Sequence, residues 1–119
     1  MGKGRDQLYE GIYIISSQLS EDARGKVLKK ITDGIEAEKG EIKKIHDMGR
    51  RKLAYEINGH RDGYYFLVYF TLDSLKVAGQ WKEYRLNEDL IRFMTSQASE
   101  VLETLAFKPL SPVEEGAVR

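Results

Sequence analysis

Apolar residues fall into two rhythms along this chain of 119 residues. Leu8 to Ser16 is dense in β-branched and aromatic residues and reads as a strand. Ser20 is placed to cap a helix, with Glu21 and Asp22 in the first turn, where anions suit the dipole. Ala23, Val27, Ile31 and Ile35 then recur every fourth residue, the apolar stripe of a helix, and Gly40 is a natural stop. Leu53, Tyr55 and Ile57 alternate, so Glu41 to Ile57 reads as a second strand, long or bent at Gly49. Asn58-Gly59 and Asp62-Gly63 are turn dipeptides, which predicts a hairpin connection over Asn58 to Gly63. Tyr64 to Thr71 is apolar on both faces, as in a central strand. Asp73 or Ser74 can cap a second helix through about Arg85, with Leu75, Ala78 and Trp81 inward; Leu90 to Gln97 is a fourth strand.

Strand-helix-strand-strand-helix-strand is the split βαβ order of an α+β, ferredoxin-like domain (βαββαβ). Right-handed crossovers then put both helices on one face of a four-stranded antiparallel sheet and leave the other face open. Tyr64, Phe66, Val68 and Phe70 should face the helices, and Tyr65, Leu67 and Tyr69 the open side. The domain spans residues 1–97. Ala98 to Arg119 is expected to be a flexible C-terminal tail, because Pro109 and Pro112 forbid a long helix and few large apolar groups are present. Val101, Leu102, Leu105 and Phe107 could dock on a basic partner.

Charge changes the picture locally. Nineteen cations balance nineteen anions, and a net charge of zero argues against a freely roaming nucleic-acid binder. The balance is regional, however. Between Glu41 and Arg61, six cations oppose three anions, a local net of +3; from Ala98 onward four anions oppose two cations, a net of −2. Arg50, Arg51 and Lys52 stand at the base of a strand-like run, on backbone that can be held rigid. Arg presents a planar fork that fits phosphate, so this triplet suits a polyanion. Alternation puts Arg50 and Lys52 on one face and Arg51 on the other. Lys3 and Arg5 precede the first strand and could also reach phosphate. Arg92 sits beside Glu88 and Asp89, where a local ion pair is expected.

Other chemistry finds little support. No cysteine is present, which removes disulfides, thiolate metal sites and cysteine nucleophiles. His46 and His60 are too few for a histidine-built metal site. Neither a membrane span nor a signal peptide is visible, so a soluble cytoplasmic protein is expected. Acyl-phosphate hydrolysis on this fold needs a phosphate cradle after the first strand, but Ser16-Ser17-Gln18-Leu19 has no Gly or Arg. A metabolite-sensing or protein-interaction domain with no RNA role is the alternative reading, although no Gly-rich ligand loop is found.

Four segments carry a family resemblance: Tyr9-Glu10 with its apolar strand, Gly49-Arg50-Arg51-Lys52-Leu53-Ala54-Tyr55, Gly63-Tyr64-Tyr65, and Leu86-Asn87-Glu88-Asp89-Leu90-Ile91-Arg92-Phe93-Met94. In this order and spacing the chain resembles the bacterial small-subunit ribosomal protein S-six family. Met48 stands where the family often has Trp, and Ser17 where it often has Pro. The resemblance implies a structural protein of the small ribosomal subunit, not an enzyme. It implies binding to small-subunit ribosomal RNA together with ribosomal protein S-eighteen, with no cofactor and no metal, and a monomer when free. Arg50, Arg51, Lys52, Lys3, Arg5, Tyr65 and Tyr69 are the candidate contacts to RNA or partner. The aromatic strand lacks the leading cation of RNA-recognition motifs, since Asp62 stands there, so base stacking on that strand is not the expected mode.

Overall fold

A computed structural model describes residues 6–103. Its order is β1 (Asp6–Ser16), α1 (Glu21–Ala37), β2 (Glu41–Ile57), β3 (His60–Asp73), a 3-10 turn (Ser74–Lys76), α2 (Val77–Arg85) and β4 (Leu90–Gln97). The sheet runs β2-β3-β1-β4 with every neighbouring pair antiparallel. Both helices pack on one face of it, the ferredoxin-like arrangement read from the sequence.

The alternation in β1 and β3 decides that packing. Tyr9, Tyr13 and Ile15 from β1 and Phe66, Val68, Phe70 and Leu72 from β3 meet Val27, Ile31 and Ile35 of α1 and Tyr84 of α2 in one core. Each large apolar side chain removed from water contributes about 1.5–3 kcal/mol. Ser20 caps α1 as the sequence predicts, its Oγ accepting from the Ala23 N–H at 3.1 Å.

Three details differ from the sequence reading. Asn58 and Gly59 alone form the β2–β3 turn, both with positive φ (49° and 84°). That is the two-residue geometry that matches strand twist. Asp62-Gly63 therefore lies inside β3, which begins at His60. The end of α1 is turned by Lys39 at φ 72°, not by Gly40. Gly40 is needed for space: a Cβ there would stand 2.5 Å from the Thr71 carbonyl oxygen. Finally, Asp73 caps a 3-10 turn through Leu75 N–H at 2.9 Å, and the α-helix begins only after it, at Val77. Val77, Trp81 and Tyr84 face inward, whereas Leu75 and Ala78 are exposed.

The face opposite the helices is not bare. Leu67 and Tyr69 point away from the helical core yet are each 1% exposed. Ala98 continues past β4, its N–H donating to the Leu8 carbonyl at 2.9 Å. The chain then reaches the far edge of the sheet. His46 Nε2 on β2 lies 2.7 Å from the Leu102 carbonyl oxygen, and Lys44 pairs with Glu103 at 3.3 Å. The His46 ring meets Tyr69 edge-on at 6.0 Å between centroids. Residues 98–103 thus form a strap across the sheet. The rest of the expected tail, with Leu105, Phe107, Pro109 and Pro112, lies outside the described residues, as do Lys3 and Arg5.

Candidate RNA and partner interface

The Arg50-Arg51-Lys52 triplet sits just beyond a kink that the backbone builds on purpose. Gly49 has φ +81°, and the β2–β3 register shifts between Asp47 and Gly49. The Asp47 carboxylate accepts from the Gly49 N–H at 3.0 Å and closes the bulge. A bulge bends its strand and re-aims the side chains that follow. After it, Arg50 pairs with Tyr64, Arg51 with Gly63 and Lys52 with Asp62. Those pairings put Arg50 and Lys52 on the helix side and Arg51 on the opposite side, as alternation predicts.

The three cations have different surroundings. Arg50 is committed within the fold. Its Nη2 lies 2.8 Å and its Nε 3.0 Å from one oxygen of Asp62. The other Asp62 oxygen accepts from Ser17 Oγ at 2.5 Å. Those hydrogen bonds, Ser17 first and Arg50 second, hold the Asp62 carboxyl below its usual range. Arg50 remains largely exposed, so the pair contributes at most about 1 kcal/mol. Arg51 is exposed and donates from Nε to the Met48 carbonyl at 3.2 Å, which fixes its stem against the bulge. Lys52 is exposed. Neither Arg51 nor Lys52 has a carboxylate within ion-pair distance among the described residues.

The aromatic candidates divide. Tyr65 is half-buried, opposite Ile14 on β1. Tyr69, expected to line an accessible face, is buried instead, because His46 and the strap close over that end of the sheet. Two cation–aromatic pairs were not legible in the sequence. Arg24 of α1 stacks over the Tyr64 ring at 3.7 Å. Arg92, expected beside Glu88 and Asp89, donates instead from Nη1 to the Tyr55 hydroxyl at 2.7 Å. A further register break, between Lys52 and Ile57, precedes the end of the hairpin, where Tyr55 reaches Arg92 of β4. Nothing local in the chain signals that contact, since the partners are 37 residues apart.

No cluster of three or more metal-ligating side chains occurs among the described residues. No helix there is long and apolar enough to cross a membrane. The candidate surface consists of exposed cations and tyrosines on a bent strand arm.

Comparison with known proteins places this chain in a family. The model of the family described as ribosomal protein S6 matches residues 8–97. This chain belongs to the ribosomal protein S6 family. The small ribosomal subunit protein bS6 of Protochlamydia amoebophila is 56% identical over 110 residues, covering 92% of this chain and 96% of that one. The proteins of the same name from Chlamydia trachomatis serovar L2 and Chlamydia pneumoniae are 56% and 54% identical over 110 residues. Among solved structures, the crystal structure of 30S ribosomal protein S6 from Thermotoga maritima matches with a TM-score of 0.74 and 32% identity. It covers 79% of this chain and 89% of that one. S6 is a structural protein of the small ribosomal subunit and not an enzyme. Its place is the ribosome, in the cytoplasm.

Proposed function

We propose that this S6-family chain binds small-subunit ribosomal RNA through the β2–β3 arm, jointly with ribosomal protein S-eighteen. The observation that carries the reading is the pair Arg51 and Lys52. They are exposed, lack any carboxylate partner among the described residues, and stand on a strand whose bulge and register fix their direction. Fixed cations release counterions from phosphate with little ordering left to do. Arg50 joins them when phosphate competes with Asp62 for its guanidinium. Lys3 and Arg5, ahead of β1, would add contacts at the N-terminal end. Tyr65 supplies apolar surface on the sheet face; Tyr69 contributes only from beneath the strap.

A chain of zero net charge with a small basic patch binds RNA modestly alone. A second protein supplies the remaining surface, and the acidic C-terminal tail suits a cationic neighbour better than bare phosphate. The free chain is a monomer in this reading.

Replacing Arg50, Arg51 and Lys52 together by Ala tests it. The three side chains are exposed, so the fold should persist. RNA affinity in the presence of S-eighteen should fall, and the log–log salt slope should drop by about 0.7–0.9 per lost phosphate contact. Unchanged affinity and slope would favour a protein-interaction domain with no RNA role.

A further inference from the structure

Tyr55 is a large aromatic side chain left 60% exposed at the far end of the arm. It is nonetheless held in place, since its hydroxyl accepts from Arg92 Nη1 at 2.7 Å across the sheet. We propose that Tyr55 and Arg92 form a nucleotide platform, on which one unpaired RNA base stacks while the Arg92 guanidinium meets a phosphate. The proposal rests on the RNA-binding reading above and assigns it two residues that the basic triplet does not include.

Geometry separates this pair from ordinary cation–aromatic packing. Arg24 lies directly over Tyr64, with its guanidinium carbon 3.7 Å from the ring centroid. The guanidinium carbon of Arg92 is 6.0 Å from the Tyr55 centroid and bonds to the hydroxyl at the ring's edge. Arg92 therefore sits toward the hydroxyl edge of the ring rather than close over its centre, and Tyr55 stays 60% exposed. One of its five N–H groups holds Tyr55, and the others remain directed away from that bond. The hydrogen bond also orders the ring in advance, so a stacking base does not have to.

Charge selects the occupant. Arg51, Lys52, Arg61 and Arg92 all lie on this arm or on the β4 position it folds against. None of them has a carboxylate within ion-pair distance among the described residues. Beyond the Gly49 bulge, Glu56 and the already engaged Asp62 are the acidic residues of the hairpin end. An apolar protein anchor on Tyr55 would remove water from Arg92 and offer it no anion, a costly arrangement. A nucleotide supplies both a π face and a phosphate. Aromatic stacking of this kind tolerates any base, because every base has a π face.

The experiment measures binding of a small-subunit RNA fragment to the full chain with S-eighteen present, over a salt series. Tyr55→Ala should weaken binding roughly tenfold or more. Its salt slope should not change, because the ring carries no charge. Tyr55→Phe keeps the stacking surface and should bind within about threefold of the parent. Arg92→Gln should lower the slope by about 0.7–0.9. Parental affinity for Tyr55→Ala overturns the proposal. So does a Tyr55→Phe loss as large as that of Tyr55→Ala, which would make the hydroxyl latch the whole effect. Equal weakening of S-eighteen binding without RNA overturns it too, because a protein then covers the ring. The triple variant of Arg50, Arg51 and Lys52 runs alongside. If it loses affinity and Tyr55→Ala does not, the platform alone fails; if neither loses affinity, RNA binding by the arm fails with it.

Discussion

Tyr13 and Tyr84 place two hydroxyls inside an otherwise apolar core, and each gives the other a partner. Their oxygens are 3.2 Å apart, and the rings meet edge-on at 5.4 Å. Gln80 Oε1 accepts from Tyr84 at 3.4 Å, which carries the chain of bonds to the helix surface. Gly11 is required beneath this arrangement, because a Cβ there would come within 2.7 Å of the Tyr13 hydroxyl. Burial pushes the Tyr13 phenol well above its ordinary value of 10.0, with Tyr84 adding to the rise. Burial raises Tyr84 as well. Folded pKa values above the unfolded ones mean that this stability is complete below about pH 10 and is lost as pH rises beyond it. Urea titrations between pH 8 and 11 should show stability declining above about pH 10 in the parent. Tyr13→Phe should cost about 1 kcal/mol at neutral pH and flatten the alkaline decline. An equally steep decline in that variant would assign it to other groups.

The β2–β3 hairpin and the strap act on the sheet from opposite ends. Gly49 and the register break between Lys52 and Ile57 bend the hairpin, and the two-residue turn at Asn58-Gly59 holds its tip together. The strap depends on fewer bonds. His46 and the Leu102 carbonyl make the part-buried link, whereas the Lys44–Glu103 pair is more exposed and adds little. His46→Ala should therefore destabilise the domain by only about 1 kcal/mol. Its larger effect should be local. Amide exchange at residues 99–103 should accelerate by about tenfold while the amides of β1 and β3 keep their protection. Uniform acceleration across the sheet would instead make His46 a member of the global core. Loosening the strap also uncovers Tyr69, which sits beneath it at 1% exposure.

For the whole molecule, charge segregation matters more than net charge. Nineteen positive and nineteen negative side chains cancel in sum, but the arm between β2 and β3 is basic and the C-terminal stretch is acidic. On the function proposed above, a molecule so divided would meet RNA with one region and a basic protein with another. RNA affinity should accordingly rise by about 5–150-fold when S-eighteen is present, the usual range for two ligands that favour one assembled state. A titration at fixed salt checks this, and equal affinity with and without the partner would mark an independent RNA-binding module.

Much of this was legible in the chain. Leu90–Gln97 is a strand with the bounds read from its residues, and Ser20, Val27, Ile31 and Ile35 specify the cap and buried face of α1. Those features are local, with periods of two or nearly four residues, so sequence carries them directly. The bend at Gly49 was likewise signalled by a residue that accepts positive φ. Four motifs in register pointed to the S6 family. Contacts between distant segments are another matter. Asp62 neutralising Arg50 depends on hairpin register, Arg92 reaching Tyr55 depends on the breaks in that register, and the burial of Tyr69 depends on where residues 98–103 cross the sheet. Sequence by itself determined which strands and helices form and which residues carry charge, because each choice rests on neighbours a few positions away. Only the tertiary structure decided which of those charges are matched and which aromatic faces stay open, because that outcome is set by segments tens of residues apart meeting in space.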